Sequence, residues 1–412
     1  MRSDIDRLMA DRDLDALMIL GGEMSNPHRA YITNGHEANA LVFKKRGEQA
    51  VMITNAMEIE NAKQSGLTVY THGDFKLHEL WQAYPDDPDM RTLKSFEHYF
   101  EKLGITGGRI GVYGFGNLGA TWELLQRMAA HFTQMTFVGE RENSLFDEAV
   151  VTKDADEIAI LTDVGRRTNA VMQAAWDFIA SHRAQDGVVV KADGSPLTIG
   201  EVKAFVRLKL LENKLEDSEG MIFAQGRDGG FPHSHGNDSE ALRTGQAIVF
   251  DLFPRDMDTG YFHDMTRTWS IDHATPEVQK AYDEVMTAFN AVMDAIKVGE
   301  RTSKYQEITL DVLEEFGHPT SRSHPGTTEG YIHSLGHGLG LEIHESPRFS
   351  HMVDRDVIQI GNVFTVEPGV YYPSRGFGIR IEDTVYIDTD GKVQNLTPMH
   401  KELVLPLKGQ QS

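Results

Sequence analysis

The alternation of apolar and polar positions divides the chain into two textures. Residues 1–150 read as short alternating elements. Residues 4–12 are charged with helical spacing, and residues 16–20 (A-L-M-I-L) form a brief apolar run that predicts a strand. Residues 40–43 and 50–54 predict further strands around a turn at 44–48, residues 109–113 another strand, and residues 121–130 a helix. Near Val150 the texture changes, and a polar, linker-like V-T-K-D-A-D leads into a long helix. Leu161, Val164, Val171, Ala175 and Phe178 keep helical spacing there. Thr198 with Glu201 matches a capping box that opens a second helix. Thr275 before Pro276 predicts an N-cap with proline at the first helical position. The helix it starts carries Val278, Val285, Phe289, Val292 and Ile296 and is expected to stop at Gly299. One more helix is expected over 305–316, ended by Gly317. Strands are expected at 247–253, 261–270, 363–367 and 378–387. Helices with interleaved hairpins imply an α+β class rather than a wound parallel sheet. A chain of 412 residues implies two domains, placed at 1–150 and 151–412.

Composition narrows the function classes. The formal charge of −22 makes nucleic acid and anionic membrane surfaces poor partners. The chain has no cysteine, which excludes disulfides, thiolate metal sites and a cysteine nucleophile. The N-terminus shows neither a signal peptide nor a membrane span, so a soluble, cytoplasmic protein is expected. One motif points elsewhere. Gly114-Phe-Gly116-Asn-Leu-Gly119 follows a predicted strand and precedes a predicted helix, and Glu140 falls about twenty residues on. That is the pattern of a nicotinamide-dependent oxidoreductase. It begins more than a hundred residues into the chain with no clear run of βαβ units behind it. A tight glycine turn is the preferred reading.

The densest chemistry lies at 331–347, Y-I-H-S-L-G-H-G-L-G-L-E-I-H-E-S-P. His333 and His337 stand at i and i+4, a helical metal spacing, but Gly336, Gly338 and Gly340 disfavour a helix. They favour backbone that approaches something closely. Acids accompany these histidines on apolar strands. Asp251 lies in A-I-V-F-D-L-F, and a hairpin would return Asp264 beside it. Glu367 shares a face with Val363 and Thr365, and Arg380, Glu382 and Thr384 share another. Four carboxylates converging in one pocket repel and must take up protons unless cations neutralise them. Two divalent ions offset that charge. Oxygen-rich ligation with one imidazole suits manganese or cobalt as well as zinc or iron.

The blocks D-L-F-P…G-Y-F-H-D-M-T-R-T, H-S-L-G-H-G-L-G-L-E-I-H-E-S-P, V-E-P-G-V-Y and I-R-I-E-D-T-V, in that order, resemble the creatinase/aminopeptidase metallopeptidases over roughly residues 150–407. The resemblance implies a pita-bread catalytic domain, a curved antiparallel sheet with outer helices, behind a smaller creatinase-type α/β N-terminal domain. It is similar above all to the Xaa-Pro aminopeptidases and prolidases. It implies metal ligation by Asp251, Asp264, His337, Glu367 and Glu382, with Asp264 and Glu382 bridging two ions. It further implies that Glu367 shuttles a proton, that His344 stabilises the oxyanion and that His333 lies near substrate. Arg380 would orient Glu382, and a substrate histidine would be His233 or His235, with the Pro-His pair favouring His233. Manganese or cobalt, a peptide substrate with proline second, and a homodimer are the expected cofactor, substrate and assembly. A metal-dependent lyase or other C–N hydrolase, and a non-catalytic binding protein, are the alternatives on the same fold. One departure is visible. Asp251 and Asp264 are thirteen apart, longer than the family's common spacing, with the extra length in the F-P-R-D-M-D-T-G turn.

Overall fold

The apolar run Ala16–Leu20 becomes the central strand of a six-stranded sheet and is buried along its whole length. A strand covered on both faces needs a continuous apolar run, which is how it reads in sequence. It pairs antiparallel with Ala40–Lys45 and parallel with Gly108–Gly114, and Met135–Val138 completes that side of the sheet. The helix Pro88–Lys102 contributes Leu93, Phe96, Tyr99 and Phe100 to a core shared with Phe43, Ile110, Met128 and Phe132. The computed structural model describes residues 4–21, 26–36, 38–352 and 355–408. Its chain forms two compact units, Met1–Val150 with Asp258–Gly260 and Val151–Met257 with Tyr261–Ser412.

The glycine motif of the first unit joins the strand Gly108–Gly114 to the helix Leu118–His131. Asn117 caps that helix by accepting from the Ala120 N–H at 3.0 Å. Gly114 has φ +117°, and a Cβ there would lie 1.9 Å from the Leu20 carbonyl oxygen, so close strand packing demands glycine. Glu140, the acid a dinucleotide ribose would require, is occupied within its own unit. It accepts from Arg12 Nε at 2.8 Å, from the Tyr113 hydroxyl at 2.6 Å and from the Leu145 N–H at 2.8 Å. The motif therefore works as a strand-to-helix turn.

In the second unit the helix Ala155–Ala180 begins inside the stretch that reads as a linker. Asp154 caps it, and Glu157 completes a capping box by accepting from the Asp154 N–H. The Thr198–Glu201 box opens Ile199–Glu212 as expected. Thr275 caps Pro276–Ala295, which ends before Gly299 because Ile296 already has extended backbone. These outer elements pack against sheets whose main strands pair antiparallel. Val285 and Phe289 from Pro276–Ala295, with Leu310 and Leu313 from Ser303–Glu315, share a core with Phe364, Val366, Ile379 and Ile381. One sheet places Ala247–Leu252 between Ile222–Gln225 and Met265–Ala274. The other runs in the order Glu345–Phe349, Gly336–Gly338, Val363–Val366, Asp383–Ile387, Val393–Asn395.

Two expected strands are broken, and both breaks serve the site. Residues 261–270 join the ladder with Ala247–Leu252 only from Met265, while Phe262 bridges Arg255 across the connection after Leu252. Arg255–Asp256 also pairs with Leu215–Glu216, the Asp256 N–H donates to the Tyr261 carbonyl at 2.8 Å, and the Phe262 N–H donates to the Gly340 carbonyl at 2.7 Å. The extra length of this turn is thus structured. The expected strand 378–387 is interrupted at Ile381 and Glu382. Phe377–Arg380 pairs with Gly369–Tyr372, whereas Asp383–Ile387 pairs with Val363–Val366. At the break the Glu382 N–H donates to the Thr266 carbonyl at 3.0 Å, which ties Glu382 to the strand entered from Asp264.

Candidate metal centre

Asp251 and His337 lie within strands, whereas Asp264, Glu367 and Glu382 lie just outside strand ends or at a break. Asp251 is on Ala247–Leu252, where its register partner is Thr266 and not Asp264, which precedes the paired strand. His337 is the middle residue of Gly336–Gly338, the inner strand of a hairpin with Glu345–Phe349. The glycines beside it have a packing cause. A Cβ at Gly336 would lie 2.1 Å from the Thr365 carbonyl oxygen, and one at Gly338 would lie 2.2 Å from that of Ser346. Glu367 follows Val363–Val366 directly and is held by its N–H to the Leu335 carbonyl at 2.8 Å.

These elements bring ligand atoms of Asp264, His337 and Glu382 within 4.8 Å of one another. His337 Nε2 lies 3.6 Å from Asp264 Oδ2 and 3.4 Å from Glu367 Oε1. Asp251 pairs with Arg380 Nη2 at 2.6 Å, and its charge is felt at Asp264, Glu367 and Glu382. All five line one cavity of about 910 Å³, together with His233, His235, His333, His344 and Arg380.

Burial pushes the Asp264 and Glu382 carboxyls well above the usual range, and the neighbouring carboxylates push in the same direction. Burial also raises Glu367 to about 8 against the opposing pull of Arg380. His337 is held down to about 3 by burial and by His344, so its imidazole is neutral, the form that binds metal. Asp251 Oδ1, Asp264 Oδ1 and Glu382 Oε1 are buried and accept no hydrogen bond among the described residues. A buried acceptor left without a partner costs about 1–3 kcal/mol. Cations would satisfy all three, so this donor set fits divalent metal.

The raised Glu367 gives a pH dependence whose sign is fixed. A carboxyl with a folded pKa above its unfolded value binds more protons folded than unfolded, so its contribution is lost as pH rises through the folded value. The buried histidines titrate at or below 6.5 in either state, which leaves pH 6.5 to 8 to the carboxyls. Metal-free protein is expected to lose thermal stability across that window, and added divalent ion to abolish the slope. A flat or rising Tm for the metal-free protein would contradict it.

Arg380 organises the acids. Its Nη2 holds Asp251, its Nη1 donates to the Tyr371 hydroxyl at 2.9 Å and the Pro232 carbonyl at 3.1 Å, and its Nε donates to Thr266 Oγ1 at 3.1 Å. Thr266 in turn donates to Glu382 Oε2 at 2.8 Å, so Arg380 reaches Glu382 through a threonine. His333 Nε2 meets the same Tyr371 hydroxyl at 2.9 Å. The His344 ring lies edge-on to His337 at 4.4 Å between centroids. His235 Nδ1 donates to the Met221 carbonyl at 3.1 Å, whereas the charge of His233 is felt at both His333 and His344. Both His233 and His235 line the cavity.

Sequence reasoning missed Tyr371 and Arg267. Tyr371 follows the E-P-G turn and sits on Gly369–Tyr372, so its place two residues past a glycine turn was the available signal. Arg267 is fully buried, donates to the Glu382 carbonyl at 2.7 Å and pairs with Asp383 at 2.9 Å. A guanidinium inside an alternating apolar strand marks a buried carboxylate partner.

Comparison with known proteins agrees with this geometry. Residues 159–389 match the model of metallopeptidase family M24. The chain is 29% identical to a Xaa-Pro dipeptidase of Pyrococcus furiosus over 76% of this chain and 80% of that one. It is 25% identical to a Xaa-Pro dipeptidase of Lactobacillus delbrueckii subsp. lactis over 97% of each. The solved structure of a Xaa-Pro dipeptidase from Bacillus anthracis superposes with a TM-score of 0.74 at 23% identity, covering 98% of this chain and 99% of that one, which shows a shared fold. A matched catalytic unit, a pita-bread architecture and a buried carboxylate–histidine cluster that fits divalent metal lead to one assignment: the chain belongs to metallopeptidase family M24.

Proposed function

We propose that the protein is a Xaa-Pro peptidase that uses two divalent ions, manganese or cobalt, and releases the residue preceding proline from short peptides. The observation that carries this reading is the set of three orphaned carboxylate oxygens converging with a neutral imidazole in the cavity. Asp251, Asp264, His337, Glu367 and Glu382 would hold the ions, which when bound supply Lewis acidity that lowers the pKa of a water and polarises a carbonyl. The remaining chemistry belongs to side chains. Glu367, its carboxylate kept ionised by the bound ions, takes the proton of the attacking water and returns it to the leaving nitrogen. His344, exposed on the cavity wall beside His337, donates to the carbonyl oxygen as negative charge develops there. Arg380 holds Asp251 in place through its 2.6 Å contact. His333, fixed by the Tyr371 hydroxyl, and His233 line the wall that substrate meets.

The proline preference is supported by the named activity of the relatives and by the presence of an N-terminal unit, which we take to be the smaller creatinase-type domain at 1–150. Assembly as a homodimer rests on the family resemblance. The test is a panel of Xaa-Pro dipeptides, Xaa-Pro tripeptides and Xaa-Ala analogues, with chelated and Mn²⁺- or Co²⁺-reloaded protein. Cleavage of the Xaa-Pro members, lost on chelation and restored by metal, with the Xaa-Ala analogues much slower, is expected. Equal rates on both series would discard the proline preference, and no cleavage with metal bound would favour a lyase or non-peptide hydrolase.

A further inference from the structure

Lys153 stands in the polar stretch that precedes the long helix of the second unit, yet its side chain is 1% exposed. Its ammonium lies 2.5 Å from Glu345 Oε2, and the Glu345 side chain is 2% exposed. The other oxygen of Glu345 accepts from the Glu342 N–H at 3.1 Å. One carboxylate thus grips the tip of the hairpin that presents His337 and His344. Gly340 packs onto this pair: a Cβ there would lie 2.8 Å from both Glu345 oxygens and 2.9 Å from Lys153 Cε. The Gly340 carbonyl accepts from Phe262, two residues before Asp264. Lys153 is anchored in turn by its N–H to the Gly361 carbonyl at 2.7 Å, ahead of the strand that leads to Glu367. Its charge also reaches buried Glu157, which accepts from the Tyr261 hydroxyl at 2.7 Å. A single buried cation therefore lies among three segments that carry the cluster, without lining the cavity itself.

We propose that Lys153 is a positioning residue: its buried ion pair with Glu345 sets the hairpin tip and thereby aims the adjacent His344 at the carboxylate cluster. This rests on the peptidase reading where it concerns turnover, and on geometry alone where it concerns the histidine. Glu345 directly follows His344 and is the first residue of its strand, so a shift of its carboxylate shifts the His344 backbone. Loss of the ammonium alone leaves a buried unpaired carboxylate and risks misfolding. The double change Lys153→Met with Glu345→Gln removes both charges and keeps the volume.

The test uses full-length, metal-loaded protein carrying Lys153→Met, the double change, or either one combined with His344→Ala. On a Xaa-Pro dipeptide, kcat of the double variant is expected to fall about 10- to 100-fold, the scale for losing an orienting partner. KM and metal content should stay within about twofold of wild type, a split that general destabilisation would not give. In the His344→Ala background the same double change should cost less than about threefold, because its effect passes through His344. The second readout does not require hydrolysis: in Zn²⁺-loaded, histidine-labelled protein, the NMR signals assigned to His344 by their loss in His344→Ala should move, while those of His318, buried against Tyr372 and Glu284, stay. Unmoved His344 signals in a folded double variant overturn the proposal, as does a turnover loss that multiplies fully with His344→Ala. If the wild type cleaves no peptide, the peptidase reading fails and the NMR arm alone decides the positioning role.

Discussion

Asp264→Asn is expected to lose bound metal and hydrolysis together, with kcat/KM down by more than about 10³. A metal's stabilisation of developing charge is worth several kcal/mol, and each 1.36 kcal/mol is tenfold in rate. Asp264 lies at the junction of the cluster, within 4.8 Å of both His337 and Glu382, and its Oδ1 has no hydrogen-bond partner among the described residues. A carboxamide keeps the shape but removes the charge that offsets a cation. The same change should have the opposite sign without metal. At pH 8 the metal-free variant should melt above metal-free wild type, because Asp264, Glu382, Glu367 and Asp251 no longer repel as a group of four. Loss of activity with full metal retention would place Asp264 outside the ligand set.

His344→Ala separates binding from chemistry. The ring touches His337 edge-on at 4.4 Å but is not among the three residues whose ligand atoms converge. The variant is expected to keep its metal while kcat falls about 10²–10³, the scale for losing one oxyanion donor. Because the interaction strengthens only as charge develops, KM should change little. Elemental analysis beside steady-state kinetics checks both. Equal metal loss in Asp264→Asn and His344→Ala would make His344 a ligand instead.

Much of this site is legible in the sequence because a carboxylate in or beside an apolar strand stands out. Asp251 in A-I-V-F-D-L-F and Glu367 at the end of V-F-T-V show this directly. The glycines around His337 announce close backbone approach, and the structure supplies its cause in the carbonyls of Thr365 and Ser346. What stayed hidden was long-range pairing. Periodicity makes 378–387 one strand, yet Ile381 and Glu382 leave it because their N–H groups find the Pro368 and Thr266 carbonyls. Nothing local signals a partner more than a hundred residues away. The register of Asp251, opposite Thr266 and not Asp264, is set by the long intervening turn, which pairs both with Leu215–Glu216 and with Phe262. Lys153 was hidden for another reason: a lysine in a charged stretch reads as solvated, and only tertiary packing reveals that it is buried. In the first unit, local signals were stronger, since Ala16–Leu20 is apolar along its whole length.

The central claim is that Asp251, Asp264, His337, Glu367 and Glu382 together hold two divalent ions. Elemental analysis of desalted wild-type and Asp264→Asn protein, after saturation with Mn²⁺ and with Co²⁺, tests it most directly. Two equivalents per chain in the wild type and a clear loss in the variant are predicted; wild-type protein that retains no metal, or a variant that retains two equivalents, would contradict it.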